Sequence, residues 1–317
     1  MALYLTERDV EELLTMEMTL EAVETVHAAH ARGRAIDVPR QRTRIPTAAL
    51  HILQGALLDE GVFGYKAYTT SRAGARFLVH LFDAATGKAL AVIEADRLGM
   101  MRTGAVGGIA AKWLASEDAA VAGMFGAGWQ AQSQLEALCR VRPIRRVKVF
   151  SRDEQKRARF CEEQTRRLGV EVVPAGSAEE TVRGSQVVIT ITTATSPLFA
   201  GDLLEAGTHV TAAGSNALIR REIDEKAVQR ADRVCVDSRA TALRESGDLL
   251  PALEKGRLAE GQMVELGEVI DAMRPGRSSA DEITLFESQG MAIQDLAVAR
   301  RLLAVAREQG RGCELPY

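Results

Sequence analysis

Ala119-Ala120-Val121-Ala122-Gly123-Met124-Phe125 runs directly into Gly126-Ala127-Gly128-Trp129-Gln130-Ala131, and the reading of this stretch decides the fold. The first seven residues form an apolar run of strand length. A helical pattern follows over Gln130 to Arg140. Strand, G-x-G-x-x-A and helix in that order make a phosphate-binding turn. Gly126 supplies the tight turn, Gly128 lets a pyrophosphate approach the backbone, and the small Ala131 lets the helix pack on the strand. The helix N-terminus then offers unpaired N–H groups and the positive end of its dipole to an anion.

Strands and helices alternate on the C-terminal side of this turn. Strands are expected at Arg146–Phe150, Glu171–Val173, Gln186–Thr190, His209–Ala213 and Val234–Val236, with helices at Glu154–Leu168, Ala178–Arg183 and Glu225–Ala231. That alternation predicts a doubly wound parallel sheet with right-handed crossovers. On the N-terminal side the pattern differs. Thr6 caps a short helix from Glu7 to Leu14, and a second helix follows over Leu20–Ala31. Short strands come next at Arg40–Ile45, Gly64–Tyr68, Arg76–Phe82 and Ala89–Ile93, which suggests a mostly antiparallel sheet. Thr103–Leu114 reads as a helix rich in small residues, and Met291–Gln309 as a long amphipathic one. The fold class is therefore α/β, with a Rossmann-type doubly wound parallel sheet following a mixed α+β region.

Composition excludes several function classes. The chain has 317 residues, 40 Lys+Arg and 43 Asp+Glu, for a net charge of −3, so it carries no general attraction for nucleic acid. No apolar run reaches the roughly 18–20 residues of a membrane span. The start shows no secretory signal. Cys139, Cys161, Cys235 and Cys313 lack metal or redox spacing and read as reduced packing residues of a cytoplasmic protein. His27 and His30 are the one close histidine pair, read as a solvated helix face, and no metal site is expected.

The end of the second parallel strand discriminates between nucleotides. An acidic residue there would bond a ribose 2′-OH, but Ser151-Arg152 stands in its place, and a hydroxyl with a guanidinium suits a 2′-phosphate. NADP(H) is therefore expected over NAD(H), with Asp153 capping the next helix.

Three cations precede the nucleotide turn. Lys66, one of only seven lysines, lies in the apolar run Gly64-Tyr65-Lys66-Ala67-Tyr68. Burial there would depress its pKa and fit it for proton transfer near neutrality. Arg42 belongs to a strand of three arginines and suits a bidentate fork to a carboxylate. Arg102 is read as opening a helix at the domain junction.

These features converge on one family. The chain resembles the ornithine cyclodeaminase/mu-crystallin family over essentially its whole length. The resemblance lies in Arg42-Thr43-Arg44-Ile45-Pro46, Gly64-Tyr65-Lys66, Asp96–Ala105 with its Arg102-Thr103-Gly104-Ala105, Gly126–Ala131, Leu243–Asp248, Glu265–Glu268 and Thr284–Asp295. It implies that Arg42, Lys66 and Arg102 hold the substrate carboxylate and its reacting nitrogen or oxygen, with Gln289 nearby. It also implies that Trp129, Gln130, Ser151, Arg152, Thr192, Ala213, Gly214 and Ser288 line the cofactor, and that the protein is a homodimer. It implies further that the Rossmann-type domain, 113–291, is inserted in a mixed α+β substrate and dimerisation domain, 1–112 plus 292–317. One position departs from the cyclodeaminase pattern. Where those enzymes carry a catalytic Asp, this chain has Asn216, and an amide is no general base. The expected activity is therefore hydride transfer to a small 2-imino (cyclic ketimine) or 2-oxo acid. Ornithine or lysine cyclodeamination, and non-catalytic binding of a small ligand beside NADPH, are the alternatives.

Overall fold

The computed structural model describes residues 1–316. In chain order β1 (Ala2–Leu5), α1 (Glu7–Leu13) and α2 (Met16–Ala31) precede β2 (Ala35–Ile45), β3 (Ala48–Leu57), β4 (Val62–Ser71), β5 (Gly74–Asp83) and β6 (Ala89–Glu94). The long α3 (Asp96–Leu114) leads to β7 (Val121–Phe125), α4 (Trp129–Val141), β8 (Arg146–Phe150), α5 (Glu154–Leu168) and β9 (Glu171–Pro174). Then come α6 (Ala178–Val182), β10 (Val187–Thr190), β11 (His209–Ala212), α7 (Glu225–Arg230) and β12 (Arg233–Val236). The chain ends with α8 (Arg239–Glu245), α9 (Leu250–Glu254), β13 (Met263–Glu265), α10 (Leu266–Ile270), β14 (Thr284–Glu287), α11 (Ala292–Glu308) and β15 (Cys313–Leu315). Two compact units result, Met1–Arg102 with Met291–Tyr317, and Thr103–Gly290. The first division falls between Arg102 and Thr103, within α3, rather than at 112.

The first unit is built on a seven-stranded sheet in the order β15-β1-β6-β5-β4-β3-β2. Strands β2 to β6 form an antiparallel meander, while β1 pairs with β6 in parallel. Alternation along β4 buries Val62, Gly64, Lys66 and Tyr68 on one face. Helix α11 lies on that face: Cβ atoms placed on Gly64 and Gly55 would come within 3.2 Å of Leu296 and Ile293. The expected lysine strand is therefore an interior strand, and β3, which carries no clear alternation in the sequence, is its neighbour.

The second unit holds eight parallel strands in the order β13-β12-β14-β11-β10-β7-β8-β9. The direction of winding reverses between β7 and β10, the switch point at which such sheets bind ligands. Strand β14 enters between β11 and β12, so the last strand of the unit is an interior one. The small residues of α3 serve close packing. A Cβ on Gly104 would meet the Ser133 backbone at 2.3 Å, and one on Gly108 would meet Ala137 at 2.8 Å. The Gln134 side chain donates to Thr103 O at 2.9 Å along the same contact.

Two expectations are corrected. His27 and His30 do not form a solvated face: His27 is fully buried, and His30 Nδ1 lies 2.9 Å from Ala35 O. Arg102 does not open a helix, because α3 begins at Asp96. The Glu7 carboxylate accepts from the N–H groups of Asp96 and Arg97, a cap delivered from another helix that local sequence does not reveal.

Candidate active site

In the first unit the register of β2 to β5 builds the site row by row. Lys66 pairs with Leu53 on one side and Val79 on the other. One row further, Arg42, His51, Tyr68 and Phe77 stand in line. The rings of His51 and Tyr68 stack at 4.2 Å, and those of Tyr68 and Phe77 at 4.8 Å. Lys66 Nζ lies 5.9 Å from the Tyr68 ring centroid. Arg40 and Arg42 share one face of β2; Arg40 is buried and Arg42 half-buried.

Asp295, in the first turn of α11, meets this cationic face. Its Oδ2 lies 2.7 Å from Lys66 Nζ, and its Oδ1 accepts from Arg102 Nε at 3.1 Å. Arg102 Nη1 donates to Gln294 Oε1 at 2.9 Å, and Gln294 Nε2 lies 3.1 Å from His27 Nε2. Burial, with a smaller contribution from His30, pushes His27 down to about 3. Its ring is therefore neutral and accepts from the amide through Nε2. Burial and the Arg102 charge bring the Lys66 ammonium down to about 7, against the pull of Asp295. A lysine poised there exchanges a proton at neutral pH. Burial, then Arg42, Arg40 and Arg44, holds His51 at about 4, so it adds no charge.

The second unit gathers the other expected residues at the carboxyl ends of its strands. Gly126 follows β7 with φ of +114°, and a Cβ there would meet Ile191 O at 2.5 Å, so the turn requires glycine. Gly128 caps α4 without a side-chain hydrogen bond, and no protein atom lies within 4 Å of the position its Cβ would take. Uncapped amides beside open space are a cradle for a phosphate. Ala131 is fully buried against the sheet, whereas Trp129 and Gln130 are exposed. Ser151 and Arg152 follow β8, and Arg152 is exposed with no carboxylate paired to it among the described residues. Asp153 caps α5 by accepting from Lys156 N at 2.9 Å.

Sequence reasoning did not single out the acids that hold these loops. Glu222 accepts from Thr192 N, the Thr192 hydroxyl and Gly214 N, tying together the ends of β10 and β11. Burial pushes it up to about 7 despite those donors, and Asp248 adds to the rise. Asp237 accepts from the Ser288 hydroxyl and from the N–H groups of Gln289 and Gly290. Gln289 Nε2 donates to Glu287, which burial and the neighbouring acids raise well above the usual carboxylate range. Ala213 N donates to Thr190 O, and Asn216 sits half-buried in the loop after β11. Of the acids in the first unit, Asp295 left one sequence signal: a carboxylate beside Gln294 inside the otherwise apolar run Ala292–Val298.

Among the described residues no cluster of His, Cys, Asp or Glu forms a metal site, and no helix is long and apolar enough to cross a membrane. All four cysteines are free.

The chain is 33% identical over 327 residues to an alanine dehydrogenase of Archaeoglobus fulgidus, covering 99% of this chain and 98% of that one. It is 36% identical over 241 residues to a Delta(1)-pyrroline-2-carboxylate reductase of Bacillus cereus, covering 76% and 74%. Among solved structures, the Delta(1)-pyrroline-2-carboxylate reductase of Thermococcus litoralis in complex with NADH and L-proline superposes with a TM-score of 0.94 at 32% identity. That match covers 99% of this chain and 100% of the other. The model of the ornithine cyclodeaminase/mu-crystallin family matches residues 2–310, and the chain belongs to that family.

Proposed function

We propose that the chain is an NAD(P)H-dependent oxidoreductase that acts on the C=N or CH–NH bond of a small 2-imino, 2-oxo or 2-amino acid. The observation that carries this reading is the buried Lys66, ion-paired with Asp295 on the same face as Arg102 and Arg40. Arg42 and Arg102 orient the substrate carboxylate, and Lys66 protonates the nitrogen, or polarises a carbonyl oxygen. Gln289 and Asn216 keep the substrate-side roles that the family resemblance implies, Asn216 as an orienting amide rather than a proton acceptor. The nucleotide binds in the second unit through Gly126, Gly128 and Ala131, with Trp129, Gln130, Thr192, Ala213, Gly214 and Ser288 around it. When bound, its nicotinamide supplies the hydride.

Ser151 and Arg152 support NADP(H) over NAD(H), because a guanidinium free of acidic partners attracts a 2′-phosphate. Arg152→Ser is expected to weaken NADPH binding about tenfold, ~1.4 kcal/mol, and to leave NADH binding in place. Fluorescence titration with each nucleotide measures this. Equal effects on both would assign the residue elsewhere.

The protein works as a homodimer in the cytoplasm, with no nucleic-acid or membrane partner. The support is the sheet face turned away from α11, where Ile36, Leu50 and Phe63 are exposed and Phe63 stacks on Phe82. Sedimentation should give the mass of two chains, and a single-chain mass at micromolar concentration would remove the dimer from the account.

The activity is tested with NADPH and NADH against Δ1-pyrroline-2-carboxylate, Δ1-piperideine-2-carboxylate, and pyruvate with ammonia or methylamine. Oxidation of the nucleotide with at least one of them is expected. Binding without oxidation would support a ligand-binding protein instead.

A further inference from the structure

We propose that Asp295 is the positioning residue of this site, holding Lys66 as an ammonium and fixing Arg102 beside it. The inference rests on the reading of Lys66 as the proton donor. Its geometry is that of one carboxylate divided between two cations: Oδ2 faces Lys66 Nζ at 2.7 Å and Oδ1 faces Arg102 Nε at 3.1 Å. Both partners and the acid itself are buried. Each cation is thereby fixed relative to the other. The amide of Gln294, held against neutral His27, fixes the far side of the guanidinium. Lys66 has three N–H donors, and one directed at Asp295 leaves two for a substrate.

The charges facing Lys66 define what Asp295 must offset. Arg102 approaches from α3 and Arg40 from β2, and both disfavour an ammonium. Arg42 lies one row along β2, opposite the neutral His51 of β3, while β5 contributes the uncharged Val79. Tyr68 of β4 presents its ring face. From α11 comes Asp295, the one anion ion-paired with Lys66 among the described residues. Without it a buried lysine beside guanidinium groups would shed its proton.

The chemistry balances in one turnover. Hydride adds to the carbon of C=N, the Lys66 ammonium gives its proton to the nitrogen, and the product is the amine. Lys66 is left as a neutral amine and takes a proton from water before the next cycle. Asp295 itself takes no part in the proton transfer.

Two readouts test this on the full-length protein. In the first, kcat/KM for reduction is followed against pH. Wild type should lose activity as pH rises through about 7, where Lys66 deprotonates. In Asp295→Asn that limb should move about one pH unit or more lower, giving a roughly tenfold or greater loss at pH 8 that is partly regained in acid. Asp295→Glu should keep the limb near its wild-type position with reduced kcat. It also carries the test if the Asn variant does not fold, because an unchanged kcat in Asp295→Glu would overturn the positioning role. The second readout needs no turnover. With only seven lysines, ε-13C-lysine labelling gives a simple spectrum in which the Lys66 signal is the one missing from Lys66→Met. Its titration midpoint should fall in Asp295→Asn. If wild type reduces no imino or oxo acid, the functional reading fails, while the lysine titration still decides the inference. If wild type is active and Asp295→Asn leaves both limb and midpoint in place, the inference fails alone.

Discussion

Lys66→Met is expected to lose turnover by about 100- to 10,000-fold, the range a positioned general acid contributes, while NAD(P)H binding stays unchanged. The separation follows from where the residues lie. Lys66 belongs to the unit Met1–Arg102 with Met291–Tyr317, and the phosphate-binding turn belongs to Thr103–Gly290. Methionine keeps the length and apolar stem of lysine and removes the charge. It leaves Asp295 buried with Arg102 as its remaining partner, so some loss of stability accompanies the loss of turnover. Steady-state kinetics and nucleotide titration measured side by side check the split. Retention of wild-type kcat would remove Lys66 from the chemistry.

Gly128→Val should act instead on nucleotide affinity, through the second unit. No protein atom lies within 4 Å of the Cβ position, and φ of −97° with ψ of −173° is extended backbone that a β-branched residue accepts. The folded protein therefore accommodates valine within about 0.5 kcal/mol. A pyrophosphate approaching the α4 amides does not. Loss of one or two hydrogen bonds to a charged group costs ~2–3 kcal/mol, about thirtyfold or more in nucleotide affinity. Calorimetric titration and a melting curve on the same sample check both halves. Gly126→Ala would be a poorer test, because φ of +114° and the 2.5 Å approach to Ile191 O perturb the turn itself.

Much of the second unit was legible because its signals are local. The apolar run before Gly126 and the amphipathic pattern of Glu154–Leu168 appear where periodicity places them, and Asp153 caps α5 as its position before the helix predicts. Strand β8 likewise spans Arg146–Phe150 as read. In the first unit the lysine strand was legible from one cation in an apolar alternation. Strand β3 was not, because Gly55, Ala56 and His51 blur its period, and its identity comes from pairing with β2 and β4. Arg102 was misplaced at a helix start because Gly99 masks a helix whose N-terminus is capped by Glu7 from a distant segment. His27 looked solvated because its partner, Gln294, lies 267 residues away. Asp295 belongs to the same class: the carboxylate is visible in the sequence, but its division between Lys66 and Arg102 exists only once α11 lies on β4 and beside α3.

The most direct measurement of the central claim is transfer of the label from 4-deuterated NADPH or NADH to a 2-imino acid, read by mass spectrometry of the amino-acid product. One deuterium is expected at the carbon bearing the nitrogen, with one nucleotide oxidised per product and loss of both in Lys66→Met. Release of ammonia with no net nucleotide consumption, or tight nucleotide binding with no labelled product from any imino or oxo acid, would contradict it.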